Sequence, residues 1–215
     1  MKLPFNKNFI IHCSHNYERY DFINKWTNDY NINSQIDIWW TCKRNITYKI
    51  GKIIDTVQTY DYKLLNNDKI FGHVFDCSFQ HFSIIKTSYE RGLESIMIME
   101  DDFGFCASKE TLSDIFNNLP KDWDIIKLDT ILINHDYKNN GNYFEECYDE
   151  NMKFGAMCYA LNRNGMKAVI DVYENEFIPS DMALYKAITS KNVKTYISNY
   201  RIGFCLPSKS SIATV

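Results

Sequence analysis

Proline and glycine are scarce in this 215-residue sequence, which has only four of the first and eight of the second. No Pro/Gly-rich linker, internal repeat or long charge run interrupts it, so one domain over residues 1–215 is expected. The seven cysteines are odd in number and include no C-x-x-C pair. That argues against a disulfide framework or a structural zinc site. Basic residues show no excess: 24 Lys plus Arg stand against 27 Asp plus Glu, for a formal net charge of -3. Nucleic-acid binding driven by phosphate neutralisation is therefore not expected. No apolar run approaches the ~20 residues that span a bilayer, so no transmembrane segment is expected either. Residues 1–9 lack a secretory apolar stretch, which leads to the expectation of a cytoplasmic protein. G-x-G-x-x-G, G-x-x-x-x-G-K-[ST] and H-E-x-x-H are absent. A Rossmann dehydrogenase, a P-loop enzyme and a zinc protease thus have no support.

What is present is apolar material for a core: 45% hydrophobic and 15% aromatic residues. Phe9 to Cys13 and Ile36 to Thr41 read as strands around a helix from Glu18 to Tyr30. Tyr60 to Lys69 reads as a polar loop. Val74, Phe75, Phe79, Phe82, Ile85 and Tyr89 give a helical stripe that Gly92 is placed to end. Ser95 to Met99 is a continuous apolar run, the pattern of a strand covered on both faces. Ser108 is a helix cap, with Pro120 beyond the helix it opens. Trp123 to Leu128, Met157 to Leu161 and Val193 to Ile197 read as strands. Helices are expected from Asn164 to Tyr173 and after Pro179-Ser180-Asp181. Asn134 to Asn151 is polar and turn-rich around Asn139-Asn140-Gly141. Strands alternating with helices indicate an α/β fold, a mostly parallel sheet with helices on both faces.

The most informative feature is Glu100-Asp101-Asp102, three carboxylates directly after the buried run. Adjacent anions repel, so their placement there is costly unless a cation or water shares the charge. Ligands of open α/β sheets sit beyond the carboxyl ends of the strands. Mn²⁺ or Mg²⁺ suits such hard oxygen ligands together with the phosphates of a nucleotide diphosphate. A solvated acidic turn is the bland alternative.

Ile96-Met97-Ile98-Met99-Glu100-Asp101-Asp102 resembles the "ILEDD" stretch of glycosyltransferase family 25. That family includes bacterial lipooligosaccharide galactosyltransferases and collagen galactosyltransferases. Other segments resemble it in the same order. Ile11 through Arg19 is similar to its "INL…R" strand and arginine, and Gly72 through His81, with Cys77, to its "GEIGC…SH" segment. Trp123-Asp124 resembles its "WD…L" element, Gly155 to Gly165 with Tyr159 its "G…AY…G" segment, and Pro179-Ser180-Asp181 its "P.D". The chain departs from the pattern at Gln80, His73 and Asp76, and at the opening His12-Cys13-Ser14-His15.

The resemblance implies a GT-A-like fold and an inverting, Mn²⁺-dependent (or Mg²⁺-dependent) glycosyltransferase. It implies a UDP-sugar donor, galactose foremost, and a hydroxyl of a glycan or collagen-like acceptor. Metal ligands would be Asp102 and then Asp101, with Asp181 as the base that takes the acceptor's proton. Donor contacts would come from Ile11, His12, Arg19, His81, Glu100 and Asp101. Ordinary structural roles stay open for several of these. Asp181 also suits the first turn of a helix, Arg19 a helix surface, and His81 a helix core. Trp39 and Trp40 suit either sugar stacking or the core. A non-catalytic glycan- or protein-binding member of the same fold is the alternative to an enzyme. A two-metal phosphohydrolase would need more His and Asp ligands than the pattern offers.

Overall fold

The structure is a computed structural model that describes residues 1–13, 16–41, 68–128, 142–147, 155–190 and 193–206. His15, the Asn139-Asn140-Gly141 turn and the loop expectation over residues 60–67 lie outside them. The helices are α1 (Tyr17–Asp29), α2 (Asp68–Glu90), α3 (Lys109–Asn117), α4 (Arg163–Asn175) and α5 (Ser180–Thr189). The strands are β1 (Lys7–Cys13), β2 (Ile36–Thr41), β3 (Ser95–Glu100), β4 (Phe103–Phe105), β5 (Ile125–Lys127), β6 (Phe144–Glu146), β7 (Cys158–Asn162), β8 (Thr195–Ser198) and β9 (Gly203–Cys205).

Seven strands form one sheet in the order β2-β1-β3-β7-β5-β8-β6. β1 is parallel to β2 and β3, and β5 to β8; β7 and β6 run against their neighbours. Five of the seven strands thus share a direction, as the mostly parallel sheet requires. The alternation of β3 shows why its sequence is apolar throughout. Ile96 and Ile98 pack with Ile84 and Ile85 of α2, Val169 and Ile170 of α4 and Leu184 of α5. Met97 and Met99 point the other way, to Ile23 and Trp26 of α1 and Leu112, Ile115 and Phe116 of α3. Side chains alternate along a strand, so a strand sandwiched between helices must be apolar at every position.

Local signals set the helix ends. Asn16, Ser108 and Asn162 accept hydrogen bonds from the backbone N–H groups of Arg19, Thr111 and Gly165. Gly92 takes φ 74° just beyond α2, where a side chain would be strained. Where the amino end of β5 meets the carboxyl end of β7, the Trp123-Asp124 and Gly165 segments come together. Asn162 Nδ2 donates to Trp123 O (2.6 Å) and Asp124 Oδ1 (3.0 Å), while Asp124 Oδ2 accepts from Lys194 N (2.8 Å). A Cβ on Gly165 would stand 2.2 Å from Asp124 O, so α4 approaches β5 this closely only over a glycine.

Several expectations need correction. α2 opens at Asp68, so Asp68 and Lys69 are helical and do not belong to the loop. The apolar stripe marks where a helix packs, not where it starts. Phe79, read as part of that stripe, is exposed. The polar Asn134–Asn151 stretch contains β6, a half-buried edge strand. β4 and β9 form a separate two-stranded sheet that no sequence signal marked. Three-residue strands are too short to display a period. Gly203 permits their pairing, since a Cβ there would lie 2.2 Å from the Phe103 ring.

Candidate active site

The carboxyl ends of β1, β2 and β3 lie side by side, with Ile11 opposite both Trp39 and Glu100. Strand alternation then divides the acidic triplet. Glu100 follows Ile96 and Ile98 onto the α2 side of the sheet, where its carboxylate meets side chains of that helix. Asp101 and Asp102, beyond the strand, meet side chains of β1 and α1 instead.

Arg19 reaches this corner because it continues the buried stripe of α1 at Ile23 and Trp26, on helical spacing. It is therefore no helix-surface residue. Its Nη1 donates to Asp101 Oδ1, and its Nη2 lies 3.4 Å from Asp102 Oδ2. Burial acts to lower the Arg19 pKa, but the charges of Asp101 and Asp102 and the bond to Asp101 outweigh it, and the net shift is upward. Asp101 Oδ2 is hydrogen-bonded to His12 Nδ1 at 3.0 Å, so both oxygens of Asp101 have protein partners. His12 is buried at the end of β1, with Tyr20 stacked on it and Trp40 at its edge. Trp40 is 52% exposed and Trp39 donates to Gln80 Oε1.

Asp102 differs from its neighbour. Its Oδ1 is buried without a hydrogen-bond partner. Its pKa is pushed up to about 6, first by burial, then by the charge of Glu100, with Asp101 adding and Arg19 opposing. The Cys205 thiol acts to lower the Asp102 pKa, and Asp102 O accepts from Leu206 N (2.9 Å), so the chain beyond β9 closes on this residue. A half-buried carboxylate with one buried, free oxygen beside a guanidinium fits a divalent ion bound together with a polyanion.

On the α2 side, Cys77, His81 and Glu100 come together with Tyr159 of β7. Cys77 Sγ lies 3.8 Å and His81 Nε2 3.4 Å from Glu100 Oε1, and potential ligand atoms of the three all fall within 4.8 Å of one another. His81 is fully buried, and its Nδ1 is hydrogen-bonded to the Tyr159 hydroxyl at 2.7 Å. The sequence marked Cys77 and Tyr159 only as parts of the resemblance. One signal for the first was available: Cys77 and His81 stand four apart on a helix and so share a face.

Asp181 lies in the first turn of α5, and its Oδ1 accepts from Met182 N (2.8 Å). Ser180 beside it acts to lower the Cys77 pKa against burial and Glu100, and the charge of Asp181 helps raise the Tyr173 pKa, after burial and Cys77. Asp181 thus stands on the α2 side of the sheet, near Tyr173. The Ile11 side chain is buried in the core under α2. Among the described residues, no helix is long and apolar enough to cross a membrane.

No family model and no curated protein matches the chain. Solved structures do. One is a glycosyltransferase involved in the glycosylation of the major capsid of PBCV-1 (TM-score 0.52, 7% identity, 95% of each chain covered). Another is the galactosyltransferase LgtC, in complex with donor and acceptor sugar analogues (TM-score 0.44, 9% identity, 89% of this chain and 72% of that one). A third is a 4-diphosphocytidyl-2C-methyl-D-erythritol synthase from Anaerococcus prevotii (TM-score 0.45, 14% identity, 96% and 94% covered). The likeness to the first, over nearly the whole of both chains, establishes the architecture: this chain has a GT-A-like α/β fold.

Proposed function

We propose that residues 1–215 form one glycosyltransferase domain, related to glycosyltransferase family 25. It moves a hexose, galactose foremost, from a UDP-sugar to a hydroxyl of a glycan or collagen-like acceptor, with inversion. The observation that carries this reading is the orphaned, buried Oδ1 of Asp102 at the carboxyl edge of a GT-A-like sheet. A buried carboxylate oxygen left without a hydrogen-bond partner is expensive to retain unless a cation completes it.

Asp102 would hold the divalent ion, Mn²⁺ or Mg²⁺, beside the donor diphosphate. When bound, that ion supplies charge neutralisation for the departing diphosphate. Asp101 is given a positioning role, because Arg19 and His12 already engage both its oxygens. Arg19, held by Asp101, presents its second nitrogen toward Asp102 and binds the same diphosphate. His12, with Tyr20 and Trp40 around it, offers rings to the nucleotide at the ends of β1 and β2. Asp181 takes the proton of the acceptor hydroxyl; its first-turn position also lets the helix dipole stabilise its charge.

The test is turnover of UDP-galactose and UDP-glucose with and without Mn²⁺, in the native chain and in Asp102→Asn. Metal-dependent turnover lost in the variant is the expected result. Nucleotide binding that ignores metal, with no turnover of any nucleotide sugar, would favour the non-catalytic binding module. For the base, Asp181→Asn is expected to keep donor affinity and lose transfer. A collapse of donor affinity as well would move Asp181 from the base role to donor binding.

A further inference from the structure

We propose that Cys77, His81 and Glu100 form a second cation site, one that takes a borderline-soft divalent ion such as Zn²⁺. It does not rest on the glycosyl-transfer reading, because none of its supports uses the fold likeness or Asp102.

The donor set is one thiol, one imidazole and one carboxylate. A thiol selects against Mg²⁺ and Mn²⁺ and toward Zn²⁺ or Co²⁺. Two of the three donors come from one face of α2, four residues apart, and the third from the end of β3. The two spacings from Glu100 lie near those of tetrahedral coordination. With bonds of about 2.3 Å to sulphur and about 2.0–2.1 Å to nitrogen and oxygen, ligand atoms stand roughly 3.3–3.6 Å apart. The carboxylate oxygen is 3.4 Å from His81 Nε2 and 3.8 Å from Cys77 Sγ.

The independent observation is His81. It is 0% exposed, yet its Nε2 has no hydrogen-bond partner. The 3.4 Å approach to Glu100 is within ion-pair reach but does not make a hydrogen bond. Its other nitrogen is fixed by the Tyr159 hydroxyl, and the two rings are stacked at 18°. A histidine that ligates a metal is held in this way: one nitrogen is anchored by an outer partner and the other faces the ion. Leaving such a nitrogen unpaired in the interior is costly; an ion at Nε2 removes that cost.

Burial and the charge of Glu100 keep the Cys77 thiol protonated in the absence of metal. Binding therefore exchanges a proton for the ion: Cys77 S–H plus Zn²⁺ gives the zinc thiolate and one released H⁺. The thiolate and the carboxylate then match the two charges of the ion.

The experiment uses the full chain, stripped with a chelator and titrated with Co²⁺ as a spectroscopic probe. A thiolate-to-cobalt charge-transfer band in the near ultraviolet is expected, and Zn²⁺ is expected to bleach it. Cys77→Ser is expected to abolish the band, and Glu100→Gln to weaken Co²⁺ binding at least about tenfold. Asp102→Asn is expected to keep the band, which separates this site from the one proposed for the donor. Absence of the band in the native chain would overturn the proposal. So would a band that survives in folded Cys77→Ser, since the thiolate would then come from another cysteine. Should Cys77→Ser fail to fold, the Glu100→Gln titration decides: unchanged affinity overturns the proposal, and a tenfold loss sustains it.

Discussion

The two ends of the central sheet treat their carboxylates in opposite ways. At the amino end, Asp124 accepts from Asn162 and from the backbone of Lys194, and Asn162 in turn caps α4. Each of these groups has a structural partner, and the arrangement ties β5, β7 and α4 to the start of β8. At the carboxyl end, Asp101 is equally well held, by Arg19 and His12, but Asp102 keeps a buried oxygen with no partner. Satisfied polar groups make a rigid corner, and an unsatisfied one beside them makes a place for a ligand. Two adjoining aspartates thus separate into a support and a candidate ligand.

Substitutions at the two ends test that contrast. The largest stability effect belongs to Asp101→Ala, which leaves the Arg19 guanidinium half-compensated in a buried corner. A loss on the order of 3–5 kcal/mol is expected in denaturant unfolding. An unfolding midpoint like that of the native chain would show the corner to be solvated. Asp102→Asn should behave in the opposite sense, raising stability near neutral pH while lowering metal-dependent turnover by roughly a hundredfold or more. Loss of both properties together would return Asp102 to a structural role.

The pH dependence follows with its sign. The Asp102 pKa is about 6 in the folded chain and about 4 when unfolded. The unfolded state therefore gives up its proton first, and stability from this group falls as pH rises between those values. Without metal, chemical denaturation should show that fall, and Asp102→Asn should remove it. With metal, proton and ion compete, so Mn²⁺ affinity by calorimetry should weaken as pH drops below about 6. At the amino end, Gly165→Ala drives a methyl into the Asp124 carbonyl and should cost about 1–3 kcal/mol. Donor affinity should stay unchanged. The smallest effect is that of Ser108→Ala, about 1 kcal/mol from the lost cap on α3.

Much of this was legible before any coordinates. The run Ser95–Met99 announced a strand covered on both sides, because only helices on both faces make an interior apolar at every position. Ser108, Asn162 and Gly92 act at helix ends, where side-chain capping and positive φ are local matters. The small strands β4, β6 and β9 were not legible, because their pairing depends on partners distant in the chain. The start of α2 was hidden for a related reason: its first turns lie before the apolar stripe. At the site, the triplet stood out as charge directly after a buried strand, but not the division of labour within it. Arg19 reads from sequence as either surface or ligand, and only the packing of α1 on the sheet turns it inward.

By itself the sequence determined the alternation of strands and helices and an acidic cluster at the rim of a buried strand. Those features follow from local periodicity, capping and charge density, which neighbouring residues express on their own. Which carboxylate is held and which is left open was decided by tertiary structure alone. Desolvation and hydrogen-bond partners come from β1, α1, α2 and the segment after β9, and no single stretch of chain contains them.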